Sequence, residues 1–413
     1  MKRFSLLFNF ATGTATMTKI LFPACALGAA TLLAGAYNHD IHTAEECRVR
    51  DGLPNVFAKL KGGQEVRIAY LGGSITAANG WRPKSLAWFK AEYPQARVVE
   101  INPAISGTGS DYSACRLGGD VLAHAPDLVF LECRVNGGGG YEAKSVEGVV
   151  RQIWTRLPEA DICFVYTLHQ GMLKDLQAGK TPSFGAVQEH IANAYGIPTI
   201  DFGVEIAARE KAGSLLFKGD APVAGKLLFS KDGVHPGDEG HTIYCETLAR
   251  SMRKIAAAGT AGPHPVPAAL EPACWERATL LPVTQATLSA GWRPVDTEKD
   301  PVYTESRHRT HAMLRGAVKC AQAGESVTVT WNGTVIGISD IPHGDPVVIE
   351  AVVDGGAPIT AQRVQREKTR HARFWYLPEQ TPGEHTVTLT IKRLPAGQAF
   401  YLGQLLIVGT PLR

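Results

Sequence analysis

The chain is short of charge, and what charge it has is even. Only 20% of its 413 residues are charged, and 42 basic residues face 39 acidic ones. A formal balance of +3 leaves no footprint for nucleic acid and no polybasic patch for a membrane surface. The longest apolar stretch, Ile20 to Ala36, has 17 residues, short for a membrane span, which needs about 20. Eight cysteines occur, none in a C-x-x-C pair, so a zinc site of the usual spacing is excluded. No internal repeat is visible, and no long apolar helix suggests a lipase lid.

The first residues read as a secretory leader. Lys2 and Arg3 come first, then Met17 and Lys19, then the small-residue apolar run closing on Ala34-Gly35-Ala36 before Tyr37. Met17 is an alternative start, since a short basic head normally precedes such a run. Lipoprotein anchoring at Cys25 fits less well, because Phe22-Pro23-Ala24 is a poor approach to it. The mature protein is therefore expected to be exported, periplasmic or secreted, without stable membrane insertion. Seven cysteines remain after the leader, an odd number that leaves at least one free thiol. Cys133 and Cys163 lie in apolar runs and read as small core residues.

From about 65 to 258, compact apolar runs alternate with helical patterns. The runs 66–72, 97–102, 127–132, 162–168 and 197–202 show little polar alternation, as strands buried on both faces do. Helical spacing marks 83–93, 145–157, 184–196 and 238–259. This order predicts a three-layer, doubly wound α/β domain with a parallel sheet of flavodoxin-like type. An Ala-, Gly- and Pro-rich stretch follows, and helical periodicity stops. Strand-like segments at 326–331, 334–339, 346–356, 372–377, 385–392 and 399–409 predict a β-sandwich of about 130 residues. The expected division is a catalytic domain over 37–258, a linker over 259–276 in which Val266 and Leu270 look dockable, and a sandwich over 277–413.

Four places carry candidate chemistry. Ser74, in "YLGGSITAANGWR", ends the first strand on a glycine turn; alone it is a plain turn as readily as a nucleophile, because serine needs a base. Asp232 and His235, three apart in "SKDGVHPGDEG", suit a carboxylate that orients an imidazole, or an ordinary turn and N-cap. Gly107 in "ISGTGS" brings an N–H close to a ligand, and Asn136 in "ECRVNGGGG" has a side-chain NH₂ for a developing oxyanion. Trp81 and Arg82, just past the serine, are candidates for lining a substrate pocket. Trp331, Phe374, Trp375, Tyr376, Phe400 and Tyr401 are compatible with a carbohydrate-binding sandwich, although most suit its core.

Together, these blocks resemble the SGNH/GDSL hydrolase family over about 65–258. Gly73 and Ser74 stand at its G-D-S core, "ISGTGS" at its glycine block, "PDLVFLECRVNG" at its asparagine block, and "DGVHP" at its last block. One departure is Gly137, where the family usually has an Asp that braces the loop; this leaves the pose of Asn136 open. The resemblance implies that His235 takes the proton of Ser74 and Asp232 holds His235. It implies an oxyanion hole from the N–H groups of Ser74 and Gly107 and the side chain of Asn136, an acyl-enzyme, and no metal or organic cofactor. Exported relatives often deacetylate glycans. The expected activity is a serine esterase on O-acetylated carbohydrate, sialic acid or polysaccharide. The alternatives are a lipolytic esterase or thioesterase, and a non-catalytic glycan-binding protein on the same fold.

Overall fold

A computed structural model of the protein describes residues 37–305, 307–342, 344–364 and 371–412. The expected leader, with Met17 and Cys25, lies outside the described residues. Among the described residues, six strands build the first sheet: β1 (Cys47–Arg48), β2 (Glu65–Gly72), β3 (Arg97–Ile101), β4 (Leu128–Glu132), β5 (Asp161–Tyr166) and β6 (Thr199–Asp201). Their order is β1-β6-β5-β4-β2-β3, all parallel except the short edge strand β1. β4 and β5 are buried at every position, which is why they read as unbroken apolar runs. The order reverses between β2 and β4, so the carboxyl ends of β2, β3 and β4 frame the crevice where such sheets bind ligands. A short parallel pair, β7 (Leu215–Lys218) and β8 (Leu227–Ser230), carries the chain back to the same end.

Among the described residues, nine helices flank these strands: α1 (Pro54–Lys61), α2 (Ser74–Ala77), α3 (Trp81–Glu92), α4 (Ser110–Asp120), α5 (Glu142–Arg156), α6 (Leu173–Gln177), α7 (Ser183–Tyr195), α8 (Phe202–Lys211) and α9 (Asp238–Ile255). α5 buries Val146, Val149, Val150 and Ile153, the stripe its spacing predicts. α9 stops at Ile255, four residues before the predicted end, and Gly259 then adopts a positive φ of 81°. One core packs α3, α8 and α9 on one sheet face. The other packs α4, α5 and α7 on the opposite face.

The stretch after α9 does not swing free. His264 stacks on Trp154 with ring centroids 4.6 Å apart and pairs with Asp161 at 2.8 Å. Buried Glu147 accepts the N–H groups of Leu270 and Glu271, at 2.6 and 2.8 Å. Val266 and Leu270, the apolar residues expected to dock, are 38% and 39% exposed. The strap is held by polar groups and one imidazole instead.

Among the described residues, the C-terminal region forms an antiparallel sheet of ten strands: β9 (Ala278–Pro282), β10 (Thr287–Leu288), β11 (Arg293–Pro294), β12 (Val318–Cys320), β13 (Ser326–Ile341), β14 (Val347–Val353), β15 (Ile359–Arg363), β16 (Arg373–Tyr376), β17 (Gly383–Arg393) and β18 (Phe400–Leu412). The two strands expected at 326–331 and 334–339 are one. β13 pairs with β17 along Ser326–Gly333 and with β16 along Gly337–Asp340, its pairing with β18 shifting register at two bulges. Contrary to the loss of helical signal after 258, two short helices occur, α10 (Pro301–Glu305) and α11 (Arg307–Met313).

The aromatics of this region are largely consumed by packing. Trp331 is fully buried, Phe400 and Tyr401 are buried, and Trp375 packs on the sheet's own core. Phe374 stacks on Tyr112 of α4 at 4.8 Å, and Tyr376 meets Tyr141 and Trp275 edge-on. The core on the α4–α5 face runs without a break into Tyr303, Met313, Leu314, Leu406 and Val408. All seven cysteines among the described residues are free. No helix among the described residues is long and apolar enough to cross a membrane.

Candidate active site

The glycines before Ser74 are demanded by their neighbours. β2 ends at Gly72, and Gly73 carries extended backbone into the single turn α2, which starts at Ser74. A Cβ on Gly72 would lie 2.8 Å from Thr76 Oγ1, and one on Gly73 would overlap Asn136 Oδ1. The serine therefore sits at the tip of a tight strand-to-helix turn, half-buried, at the carboxyl end of the sheet.

The loop after β8 meets it. Asp232 Oδ1 accepts the N–H groups of Val234 and His235, both at 2.8 Å, and the Ser230 hydroxyl at 3.0 Å. Its Oδ2 lies 2.6 Å from His235 Nδ1, and His235 Nε2 lies 2.8 Å from Ser74 Oγ. A carboxylate only accepts, so the ring proton belongs on Nδ1 and the Nε2 lone pair faces the serine hydroxyl. Burial raises the Asp232 carboxyl, but hydrogen bonds from the His235 ring, two backbone N–H groups and Ser230 outweigh it. They hold the group well below the usual carboxylate range. Asp232 thus stays charged at any ordinary pH.

Gly107 and Asn136 converge on the same end. Gly107 is exposed with φ +68°, which a side chain would resist. The Asn136 carbonyl oxygen rests against Gly73, so its NH₂ is turned away from that glycine. The missing Asp after Asn136 is explained by space and backbone. Gly137 has φ +68°, and a Cβ there would lie 3.0 Å from the Phe184 ring. Backbone bonds brace the loop instead: Gly137 N–H to Cys133 O at 2.8 Å, and Ser110 N–H to Gly137 O at 2.8 Å. Glu142 Oε1 accepts from Gly138 and Gly140 at 3.2 and 3.1 Å.

Two sequence candidates fall elsewhere. Trp81 is fully buried, packed on Tyr70, Phe130 and Phe202. Arg82 is 5% exposed; its guanidinium takes the Thr76 carbonyl at 3.1 Å and pairs with Glu100. Neither lines a substrate pocket: the apolar ring is drawn into the core, and the cation is spent on the carbonyls that end α2. His241 shapes the same segment. Its ring fills the space over Gly80 and accepts the Trp81 N–H at Nδ1, 3.1 Å away; burial lowers its pKa to about 4, so it is neutral.

Sequence reasoning also missed a contributor from the C-terminal region. Arg309, on α11, brings Nη1 within 2.6 Å of where a Gly107 Cβ would stand, and its Nε lies 3.4 Å from Met313 Sδ. No local pattern marks this arginine; it reaches the site only through the shared core.

A serine backed by imidazole and carboxylate at the carboxyl end of a parallel sheet fits acyl transfer. The protein is a serine carboxylic-ester hydrolase, and its residues 70–243 match the model of the GDSL-like lipase/acylhydrolase family. Among solved structures, a two-domain esterase (CEX) active on acetylated mannans, co-crystallized with mannopentaose, is similar in fold. It shares 20% identity at a TM-score of 0.72, covering 88% of this chain and 97% of that one. A second structure of that esterase gives 20% identity, a TM-score of 0.71, and coverage of 90% and 98%. Both likenesses take in the α/β part and the β region together. A search of curated proteins finds no match.

Proposed function

We propose that the protein removes O-acetyl groups from carbohydrate, with Ser74 as nucleophile, His235 as general base and Asp232 as the group that orients it. The observation that carries this reading is the continuous chain from Asp232 Oδ2 through the imidazole to Ser74 Oγ, at 2.6 and 2.8 Å. His235 Nε2 takes the hydroxyl proton as Ser74 Oγ attacks the ester carbonyl. The oxyanion forms against the N–H groups of Ser74 and Gly107 and the Asn136 NH₂. Collapse expels the sugar alkoxide, which receives the proton from His235. Water, activated by the same imidazole, then attacks the acetyl-enzyme and releases acetate.

The carbohydrate part of the reading rests on an open, polar site and on likeness of architecture. Asn136, Gly107 and half the surface of the His235 and Asp232 side chains face solvent, so a long acyl chain has little to bury against. Acetylated polysaccharide of the mannan type is the first substrate to test, because the esterase of similar two-part fold acts on acetylated mannans. On p-nitrophenyl esters, kcat/KM for acetate is expected to exceed that for octanoate by about tenfold or more. Each buried methylene would otherwise add about 0.8 kcal/mol. A rate that climbs with chain length would move the enzyme to the lipolytic class. The direct test is acetate release from acetylated manno-oligosaccharides, with acetylated sialic acid and acetylated xylan in parallel.

Asn136→Ala is expected to lower kcat about 10²–10³-fold with KM little changed, the usual effect of losing one oxyanion donor. A variant with wild-type kcat would remove Asn136 from the oxyanion hole.

A further inference from the structure

Beneath the nucleophile turn lies a carboxylate that the reaction does not consume. Glu132 ends β4, paired in register with Gly72 of β2, and is 1% exposed. Its Oε1 accepts the Thr167 hydroxyl at 2.7 Å and its Oε2 the Thr76 hydroxyl at 2.9 Å. The backbone N–H of Gly73 donates to it as well. Both threonines are fully buried. No cation among the described residues makes an ion pair with it; the neighbouring Arg134 is paired to Asp201 at 2.5 and 2.7 Å. Burying a carboxylate with no ion pair is costly unless donors surround it. Two of the three donors lie on the turn that presents Ser74, one on each side of the serine.

We propose that Glu132 is a positioning residue for the nucleophile: it gathers the Gly73 N–H and the Thr76 hydroxyl, tied back to Thr167, and so fixes the turn that aims Ser74 Oγ at His235. Thr76 is held from the other side, its carbonyl taken by Arg82, and its hydroxyl packs where Gly72 has no side chain. The turn is thus clamped between β4 and α3. Releasing one clamp lets the serine shift against an imidazole fixed on a separate loop. A displacement of about 1 Å at a reacting group can cost on the order of 10²-fold in rate.

The inference rests on the proposed role of Ser74, so Ser74→Ala is assayed beside it. The test compares kcat and KM on p-nitrophenyl acetate for Glu132→Gln, Thr76→Val and Thr76→Ser, with folding checked by circular dichroism and melting. Glu132→Gln and Thr76→Val are each expected to lose on the order of 10²-fold in kcat with KM within about twofold. Thr76→Ser, which keeps the hydroxyl, is expected to recover to within a few-fold of wild type. A purely structural role would lower Tm and leave the kcat of folded enzyme unchanged. That result, or any other pattern among folded variants, overturns the proposal. If Glu132→Gln fails to fold, the Thr76→Val and Thr76→Ser pair decides alone. An active Ser74→Ala protein would mean that the nucleophile reading has failed; an inactive one beside full kcat in the Glu132 and Thr76 variants would mean that only this inference has.

Discussion

Ser74→Ala is expected to lose at least about 10⁴-fold in kcat on acetyl esters while melting within a few degrees of the wild type. The serine is half-buried, and its Oγ meets His235 Nε2 at 2.8 Å. Alanine fits the same turn, whose glycines, Thr76 and Glu132 are untouched. What disappears is the covalent step. Removing a triad serine elsewhere costs about 10⁶-fold in kcat, with a residue of catalysis left to oxyanion donors and binding. Steady-state assay on p-nitrophenyl acetate with a matched melting curve checks this. A folded variant with even a tenth of the wild-type rate would contradict the mechanism.

Cutting the chain after residue 258 is the second large effect. The α4–α5 face shares one core with the C-terminal region: Phe374 stacks on Tyr112, Trp275 and Tyr376 pack on Tyr141, and the Tyr112 hydroxyl donates to Gln404 at 3.1 Å. Uncovering about three large apolar side chains costs roughly 5 kcal/mol. For a domain of this size that lowers Tm by about 10 °C or more. The bared patch also invites aggregation. The 37–258 fragment is therefore expected to be poorly soluble, and any soluble fraction to be impaired on acetylated glycan, since Arg309 no longer stands over Gly107. Expression, melting and assay of the fragment against the whole chain measure this. A soluble fragment with wild-type Tm and full activity on both small ester and glycan would show that the C-terminal region serves neither stability nor catalysis.

The parallel sheet was legible because strands buried on both faces leave unbroken apolar runs, as β4 and β5 do. The site was legible because each of its blocks sits on one short loop at a strand end. Ser74, Asp232 and His235 needed only the right loops to meet, and the structure brings them within hydrogen-bond reach. Other features depend on contacts that no local pattern records. The segments 326–331 and 334–339 read as two strands, yet β13 continues through Asn332-Gly333 with a register shift against β18, whose backbone lies so close that a Cβ on Gly333 would collide with Val408 O. Trp81 and Arg82 follow the serine closely in sequence, but the helical turn swings them inward, away from the crevice. The strap is docked by His264 on Trp154 and by Glu147, not by Val266 and Leu270, because buried polar groups of the α/β part needed partners. Glu132 looked like one more residue of an apolar strand end; only the register against Gly72 places it under the Ser74 turn.

The most direct test of the account is where an acetyl group rests during turnover. Wild-type enzyme mixed briefly with an activated acetyl ester and quenched in acid should carry one acetyl on the peptide containing Ser74, detected by mass spectrometry. Label should be absent from Ser74→Ala, and should accumulate further in a variant slowed in hydrolysis of the acyl-enzyme. Turnover with no label on that peptide, or with the acetyl on another residue that remains labelled in Ser74→Ala, would contradict a serine mechanism centred on Ser74.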